Sequence, residues 1–481
     1  MARSLREWVW DYLEDNGQLP FNVYRGSVSI LAQDEDLAEE IHEHLRSLGK
    51  KYLTAADVVR FLATPEIRMH FNLKKTPTER TARRWMHTME YRYGKPVKGM
   101  FIDGHERADV VDYRQGIFLP FWASIQDQMA VWDRENNRTL PALPEFPKRK
   151  RVVLVTHDES TFYAHDQRQT RWIHTSEKPE PVRKGEGSSI MVSDFMSPDL
   201  GWLKSKDGTQ EARVIFKAGK NHEGYFSNEH ILAQTELAIE LFEDHFPGTA
   251  IAAFAFDNAP SHQKRAADAL SALKMPKNPK LWRPDDKLKM RNGVLPNGEQ
   301  QPLYFPDDHP TMPGYFKGMS IILQERSLIQ EAKLPAQCKN FKCQDVKSAC
   351  CCRRVLFNQP DFTAQKVALV ELIEANGHLV FFYPKYHCEL NPIEQCWGTA
   401  KYEYRKLPIP ANEAQMEVNS RKCLDSVDIV KMRQFTNRSA RFIDAYARGL
   451  TGAQASWANK RYHGHRVLPE SIMNGLEMEK N

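Results

Sequence analysis

The chain has 481 residues, which is too long for a single hydrophobic core and predicts about two to four domains. Apolar residues make up 41% of the chain and charged residues 27%, a globular composition that excludes an intrinsically disordered chain. The formal net charge of +5 is modest for this length, so overall charge does not by itself indicate a nucleic-acid partner.

Two further classes of protein are not expected. The sequence contains no run of about 18 or more apolar residues, so we expect no membrane span and no membrane partner. Its first residues, MARSLREWVWDYLEDN, carry charges throughout and lack the apolar core of a signal peptide. We therefore expect a protein that is not secreted.

The N-terminal part contains two helix-start signals. Thr54 in KKYLTAADVVRFLA is a predicted N-cap, and Asp57 follows three residues later as its capping-box partner. In TPTERTARRWMHTM, Thr76 would cap the helix, Pro77 suits the first helical position, and Glu79 completes a second capping box. These signals predict two short helices joined by a tight connection.

Two short helices of which the second is basic are typical of a helix-turn-helix. We predict this motif at about 54–90, within a helical DNA-binding region over 1–100. The segment 74–98 is rich in Lys and Arg, and the aromatic and basic stretch YRYGKPVKG favours contact with the DNA backbone. A solvated basic helix face is the alternative. The residues predicted to contact DNA are Arg80, Arg83, Arg84, Lys95 and Lys98.

Residues 101–150 are predicted to be a linker. They end in the proline-rich stretch LPALPEFPKRKR. The basic run from Lys148 to Arg151 resembles a nuclear localisation signal and predicts a nuclear protein. Alternatively, the same charges flank the strand that follows.

From residue 152 onward, strand and helix patterns alternate. Strands are predicted in RVVLVTHDESTF, TRWIHTSE, SSIMVSDFM, IAAFAFD and HLVFFYPKY, which are rich in β-branched and aromatic residues. Helices are predicted in SNEHILAQTELAIELFEDHF, with Ser227 as N-cap, and in SHQKRAADALSALK and NPIEQCWGTAKYEYRK. This order predicts a mixed α/β domain over 151–410, with an insertion at about 265–355 and a helical C-terminal region over 411–481.

Three carboxylates of this domain lie where they would converge. Asp158 follows the first predicted strand, Asp257 follows the fourth, and Glu394 lies in the first turn of a late helix. If the first and fourth strands are neighbours, the two aspartates lie side by side, and a helix packed across them brings in the glutamate. Clustered carboxylates repel one another unless divalent cations bind between them, and such oxygen ligands suit Mg²⁺ or Mn²⁺.

Each acid also has a simpler interpretation on its own. Asp158 would be a strand residue paired with an arginine, and Asp257 with Asn258 would form an ordinary turn. Glu394 would be the capping-box partner of Asn391.

Three motifs that contain these acids, HDESTF, FDNAPSH and HCELNPIEQCWG, resemble the catalytic signature of mariner-type DDE transposases, the DDE superfamily endonucleases. The resemblance covers roughly 150–262 and 378–406, and TERTARRWMHTMEYR is similar to the DNA-binding helices of that family. It implies that Asp158, Asp257 and Glu394 are the catalytic and metal-binding triad for Mg²⁺ or Mn²⁺. The implied fold is a ribonuclease-H-like core, a mixed five-stranded sheet with flanking helices. The separation of Asp257 from Glu394 exceeds that of compact members and implies a large insertion.

The resemblance also implies an activity and partners. The activity is that of a metal-dependent DNA endonuclease and strand transferase, which acts on transposon ends by two-metal hydrolysis and transesterification. The partners are double-stranded DNA, as transposon end and as target, and a second copy of the chain in a homodimer on DNA. Two alternatives stay open: an element-derived DNA-binding protein with an idle catalytic core, and a nuclease without joining activity.

The chain has 8 cysteines, and all of them lie in its last third. The predicted zinc ligands are Cys338, Cys343, Cys350 and Cys352, because clustered thiolates can hold a structural Zn²⁺ ion. Adjacent cysteines cannot all bind one ion comfortably, so a set of reduced thiols in the insertion is the alternative. We expect the insertion to be a largely irregular, separately packed unit.

Overall fold

In the computed structural model, the chain forms two compact units, Met1–Gly99 and Met100–Asn481. The structure describes residues 9–10, 12–13, 35–48, 53–89, 91, 104–143, 150–166, 184–217, 226–281, 289–343, 345 and 348–478. Within these residues, no helix combines the length and the apolarity that a membrane crossing requires.

The first unit is helical. Its helices are α1 (Glu35–Ser47), α2 (Ala55–Leu62), α3 (Pro65–His70) and α4 (Glu79–Thr88). Their apolar faces share one small core, which includes Leu37, Ile41, Val58, Leu62, Ala82 and Trp85. The predicted cap of α2 is confirmed, because the carboxylate of Asp57 accepts from both the main-chain N–H and the hydroxyl of Thr54, each at 2.8 Å.

The predicted start of the basic helix is wrong by two residues. Thr78, not Thr76, is the N-cap of α4, since its hydroxyl accepts from the main-chain N–H of Thr81 at 3.4 Å. Glu79 is therefore the first helical residue instead of a capping-box partner, and Pro77 lies outside the helix. The short helix α3 also lies between the two predicted helices, so 54–90 contains three helices. Lys95 and Lys98 lie outside the described residues.

The second unit is built on a six-stranded sheet. Its strands are β1 (Arg151–Tyr163), β2 (Ser189–Ser197), β3 (Gly201–Trp202), β4 (Val214–Phe216), β5 (Ala250–Phe256) and β6 (Leu379–Phe382). The strand order is β6-β5-β1-β2-β3, and β4 also pairs with β2. β2 is antiparallel to β1, while β5 is parallel to β1 and β6 is parallel to β5. This order and these directions confirm the ribonuclease-H-like fold class, with a short sixth strand at the edge.

Helices cover both faces of the sheet, because the central strands are apolar on both sides. On one face lie α7 (Asn228–His245), which begins after the predicted cap Ser227, and α11 (Ala368–Ala375). The opposite face packs against α12 (Pro392–Tyr404), α13 (Glu413–Asp425), α14 (Ile429–Ala447) and α15 (Gly452–Arg461), with α16 (Glu470–Met478) beside α15. The predicted C-terminal helical region thus completes the core of the second unit.

The predicted linker over 101–150 is corrected, because much of it belongs to this core. It contains α5 (Ala108–Tyr113) and α6 (Leu119–Ile125), joined by a π-helical turn, and a hairpin of Val131–Trp132 with Arg138–Thr139. Phe118 and Trp122 pack against Phe381 of the sheet. The linker prediction relied on the proline-rich stretch that follows these helices and overlooked their apolar face. The residues 144–149, which include the first two residues of the basic run, lie outside the described residues.

The insertion has a hydrophobic core of its own. Its elements are α8 (Gly318–Glu325), α9 (Cys352–Phe357), α10 (Pro360–Thr363) and a hairpin of Gly293–Val294 with Gln300–Gln301. The core residues extend from Leu270 to Phe362. The helix predicted in SHQKRAADALSALK is wrong, since that stretch holds turns and one 3₁₀ turn, Ala272–Lys274. TRWIHTSE lies outside the described residues.

Candidate active site

The strand register brings the two aspartates side by side. Parallel strands β1 and β5 pair Thr156 with Ala255 as their last pair, and Asp158 and Asp257 each follow two residues later. Neighbouring strands lie about 4.8 Å apart, and residues two apart in a strand point to the same face. Both carboxylates therefore leave the sheet on the face that carries α12.

Asp158 lies within β1, not at its end as predicted. β1 continues to Tyr163 in its pairing with β2, while the parallel partner β5 ends at Phe256. Asp158 thus lies two residues beyond the last parallel pair, and only 8% of its surface is exposed. The end of β5 was predicted correctly, because Asp257 is the residue after it.

Two hydrogen bonds connect the N-terminal part of α12 to β1 beside Asp158. The side-chain amide of Asn391 donates to the main-chain carbonyl of His157 at 3.2 Å. Six residues further along, the indole N–H of Trp397 donates to the carboxylate of Asp158 at 3.0 Å. Glu394 lies three residues from each of them, and the side chain of Asn391 makes no capping bond. The capping-box interpretation of Glu394 is therefore not supported.

The three acids line one cavity of about 570 Å³. Its other lining residues come from the turn after β5 and from the loop between β6 and α12: Asn258, Ala259, Pro260, Tyr383, Pro384, Lys385, Tyr386, His387, Cys388 and Asn391. Among these, Lys385 and Tyr386 are exposed at the surface. The cavity therefore combines one buried acid, Asp158, and two more accessible acids, Asp257 and Glu394, with a basic and aromatic rim.

The carboxylates of the cavity destabilise one another's charged forms. Burial raises the pKa of Asp158 well above its usual value, and the charges of Glu394, Glu159 and Asp257 raise it further. Burial and the charge of Asp257 raise the pKa of Glu394, while Lys401 acts in the opposite direction. A cation between these groups would remove this repulsion.

Asp257 has a basic partner. His262 is fully buried, its Nδ1 contacts the carboxylate of Asp257, and its Nε2 lies 3.4 Å from Glu159. Burial by itself lowers the pKa of His262, but its hydrogen bonds with Asp257 and Glu159 raise it to about 10. For Asp257 the effects are opposite: burial by itself raises its pKa, and the contact with His262 lowers it below the usual value. The turn after β5 thus carries an ion pair as well as a candidate ligand.

Sequence reasoning assigned no role to His262, Glu159 or Tyr383. The first two stand in the motifs FDNAPSH and HDESTF, but only the packing of the two strands reveals their contact. Tyr383 follows β6 and is buried, and its hydroxyl has no hydrogen-bond partner among the described residues. Burial and the nearby Asp158 raise the pKa of Tyr383.

A second polar network holds the loop before α12. His387 Nδ1 lies 2.8 Å from the carboxylate of Glu389, and Arg114 lies 3.2 Å from His387 Nε2. The hydroxyl of Tyr446 donates to the same carboxylate at 2.8 Å. Because Arg114 can only donate, His387 accepts at Nε2 and donates from Nδ1. Through Arg114 and Tyr446, this network connects the region before β1 and helix α14 to the loop that precedes α12, the helix of Glu394.

The other predicted site residues lie elsewhere. Arg80, Arg83 and Arg84 belong to the first unit and are exposed along α4. In the insertion, the predicted zinc set is corrected: Cys338, Cys343 and Cys350 cluster with Cys351 instead of Cys352.

No protein-family model matches the sequence, and no curated protein matches it. Among solved structures, the chain is similar to a pre-cleavage Mos1 transpososome, with 8% identity, a TM-score of 0.43, and coverage of 96% of this chain and 88% of that chain. A Mos1 transposase paired-end complex with the left transposon end shows 8% identity, a TM-score of 0.41, and coverage of 96% and 89%. A Mos1 mariner paired-end complex with Mn shows 9% identity, a TM-score of 0.42, and coverage of 92% and 87%. At these values, the likeness assigns no role to any residue.

Proposed function

We propose that this chain is a metal-dependent DNA endonuclease and strand transferase that acts on transposon ends. The observation that carries the proposal is the convergence of Asp158, Asp257 and Glu394 in one cavity of a ribonuclease-H-like sheet. The motif resemblance to mariner-type DDE transposases supplies the step from a metal-dependent nuclease to transposition.

The three acids fit a site for Mg²⁺ or Mn²⁺. These cations prefer oxygen ligands, and the raised pKa values of Asp158 and Glu394 mean that a cation between them would stabilise their charged forms. The hydroxyl of Tyr383, which has no hydrogen-bond partner among the described residues, adds a further oxygen at the same cavity. When bound, such ions activate a water or hydroxyl oxygen and stabilise the leaving oxygen in phosphodiester chemistry.

The chain's own residues keep the acids in place. Trp397 directs one oxygen of Asp158, and His262 holds Asp257 in its charged form. The exposed Lys385 gives the rim a positive charge, which suits a phosphate backbone.

Delivery to DNA is proposed for the first unit. Arg80, Arg83 and Arg84 lie on the exposed side of α4, as a recognition helix of a helix-turn-helix requires. A homodimer on DNA and a nuclear location complete the proposal, and both rest on the motif resemblance and the basic run.

The test uses full-length protein, supercoiled plasmid and Mn²⁺. We expect nicked plasmid, and covalent joining of a labelled oligonucleotide through its 3′-hydroxyl. Asp158→Asn, Asp257→Asn and Glu394→Gln should each abolish both products, because an amide keeps the shape of the side chain but loses its charge. Asp127→Asn removes a carboxylate that is 86% exposed, outside the cavity, and should leave both products unchanged.

Any other result would indicate a different function. Nicking without joined product would indicate a nuclease without transferase activity. DNA binding without any nicking would indicate an idle core, and nicking that persists in Asp257→Asn would remove the triad.

A further inference from the structure

We propose a structural Zn²⁺ site in the insertion, with four thiolate ligands: Cys338, Cys343, Cys350 and Cys351. This site lies apart from the acidic cavity and does not depend on the proposed nuclease function. Its role is to hold together the segments of the insertion that precede α9.

The geometry of the sulfur atoms supports the site. All four Sγ atoms lie within 4.8 Å of one another, and those of Cys338 and Cys350 are 3.2 Å apart. A tetrahedral zinc site with bonds of about 2.3 Å has sulfur atoms about 3.8 Å apart. The four thiols therefore surround a space that needs only small shifts to hold one ion.

The backbone brings these thiols together by a specific turn. Asn340, between the first two ligands, has a φ of 54°, in the left-handed region that asparagine tolerates better than most residues. Cys338 and Cys343 lie on either side of this turn, and their sulfur atoms belong to the same cluster. The third and fourth ligands arrive on the segment that leads directly into α9.

The start of α9 selects Cys351 over its neighbour. Cys351 is the N-cap and has extended backbone dihedrals, whereas Cys352 is the first helical residue. The thiol of Cys352 therefore points elsewhere and donates to the carbonyl of Leu334 at 3.2 Å, within the insertion core. Cys351 thus belongs to the sulfur cluster, whereas Cys352 belongs to the hydrophobic core of the insertion.

Donors and basic side chains surround the cluster. The guanidinium of Arg354 hydrogen-bonds to Cys343, and Lys339 and Lys342 are exposed beside the cluster. Ser348 donates to the sulfur of Cys350 at 3.2 Å. Zinc bound by four thiolates carries a net charge of about −2, which these cations offset, and binding releases the remaining thiol protons to solvent.

The first experiment measures the metal in full-length protein purified without chelator. We expect about one zinc per chain by mass spectrometry of the metal, with four thiols protected from alkylation until the ion is removed. Replacement by Co²⁺ should give the visible absorption of tetrahedral cobalt thiolate. This readout is independent of DNA cleavage, so it stands even if the chain proves to have no nuclease activity.

The second experiment assigns the ligands. The double variant Cys343→Ser with Cys350→Ser should lose zinc, whereas the matched control Cys352→Ala should keep it. Cys343→His retains a zinc-binding side chain and should keep the ion even if the double variant fails to fold. Zinc that persists in a folded double variant, zinc lost from Cys352→Ala alone, or zinc-free wild-type protein with a Cys338–Cys350 disulfide would each overturn the proposal.

Discussion

Asp158 and Asp257 each lie two residues beyond the last pair of the β1–β5 ladder, yet their environments separate their pKa values. Asp158 has the neutral N–H of Trp397 and the charges of other acids around it, and its pKa is raised. Asp257 has His262, and its pKa is lowered. A buried carboxylate without a positive partner destabilises a fold, so its persistence at Asp158 suggests a ligand that supplies the charge.

A contrasting residue, Asp361, illustrates what a fully compensated buried carboxylate looks like. Arg326 donates to it through two N–H groups at 2.8 and 2.7 Å, and both side chains are almost fully buried. Burial by itself raises the pKa of Asp361, but the bonds from Arg326 and from the main-chain N–H of Val294 hold it below the usual value. This pair joins the hairpin of the insertion to α8 and α10.

We predict that Asp361→Asn lowers the free energy of unfolding by about 3–5 kcal/mol, because it leaves the buried charge of Arg326 uncompensated. Since the folded pKa of Asp361 is depressed, its contribution is present above the unfolded pKa of about 3.9 and is lost as the pH falls through the folded value. Denaturant unfolding of wild type and variant at several pH values measures both effects.

The control is Glu299→Gln, which changes an exposed carboxylate of the same insertion. It should alter stability by less than about 0.5 kcal/mol. An Asp361→Asn variant as stable as this control at neutral pH would contradict the prediction.

At the level of elements, α4 shows how a helix can be both a core element and a contact surface. Ala82 and Trp85 face the core of the first unit. Arg80 and Arg84 are one turn apart on the opposite, exposed side, and Arg83 beside them is paired with Glu79 at 3.1 Å. The helix therefore presents a basic stripe, and the Arg83–Glu79 ion pair within it is a surface pair that stabilises the fold little.

We predict that replacing Arg80, Arg83 and Arg84 together with Ala weakens DNA binding and flattens its salt dependence. Each lost phosphate contact removes about 0.9 from the slope of log K against log salt, so the slope should fall by roughly two to three. Alanine favours the helix, and the fold should remain intact. Binding of duplex DNA measured at several salt concentrations gives the slope.

Arg46→Ala, which removes an exposed arginine of α1 in the same unit, is the matched control. An unchanged slope in the triple variant would place the DNA-binding surface on other residues.

At the scale of the whole molecule, the two units have separate cores and carry separate parts of the proposed function. The first unit holds the basic helix, and the second holds the acids. Between Asp257 and Glu394, the insertion forms its own core without interrupting the sheet, because its ends meet where Arg265 bridges to Val367. The long sequence separation of the acids is therefore compatible with their proximity in space.

We predict that DNA binding and metal binding can be removed independently. Asp257→Asn should keep the DNA affinity and salt slope of the wild type but lose the stabilisation by Mn²⁺, which is about 2.7 kcal/mol at one hundred times the dissociation constant. The variant with Ala at Arg80, Arg83 and Arg84 should keep the stabilisation by Mn²⁺ but bind DNA more weakly and with a flatter salt dependence. Thermal unfolding with and without Mn²⁺, together with DNA titrations, measures both properties; loss of both in either variant would mean that the units act as one.

The sequence alone determined the local features of this protein. The apolar strands, the caps at Thr54 and Ser227, and the three acidic motifs could be identified because each depends on residues that are close in the chain. The order of strands and helices also predicted a mixed α/β domain, because that order restricts how a sheet can be assembled, and the motif resemblance implied the ribonuclease-H-like fold class.

Only the tertiary structure decided which side chains meet. Three features depend on contacts between distant segments: the parallel pairing of β1 with β5 that brings Asp158 near Asp257, the contact of His262 with Glu159, and the inclusion of the region around Trp122 in the core. The choice of Cys351 over Cys352 depends on where α9 begins, and a shift of one residue reverses it. Sequence patterns report short-range preferences, whereas the free energy of burial and of charge pairing belongs to the packed chain, and there the partners of these residues are selected.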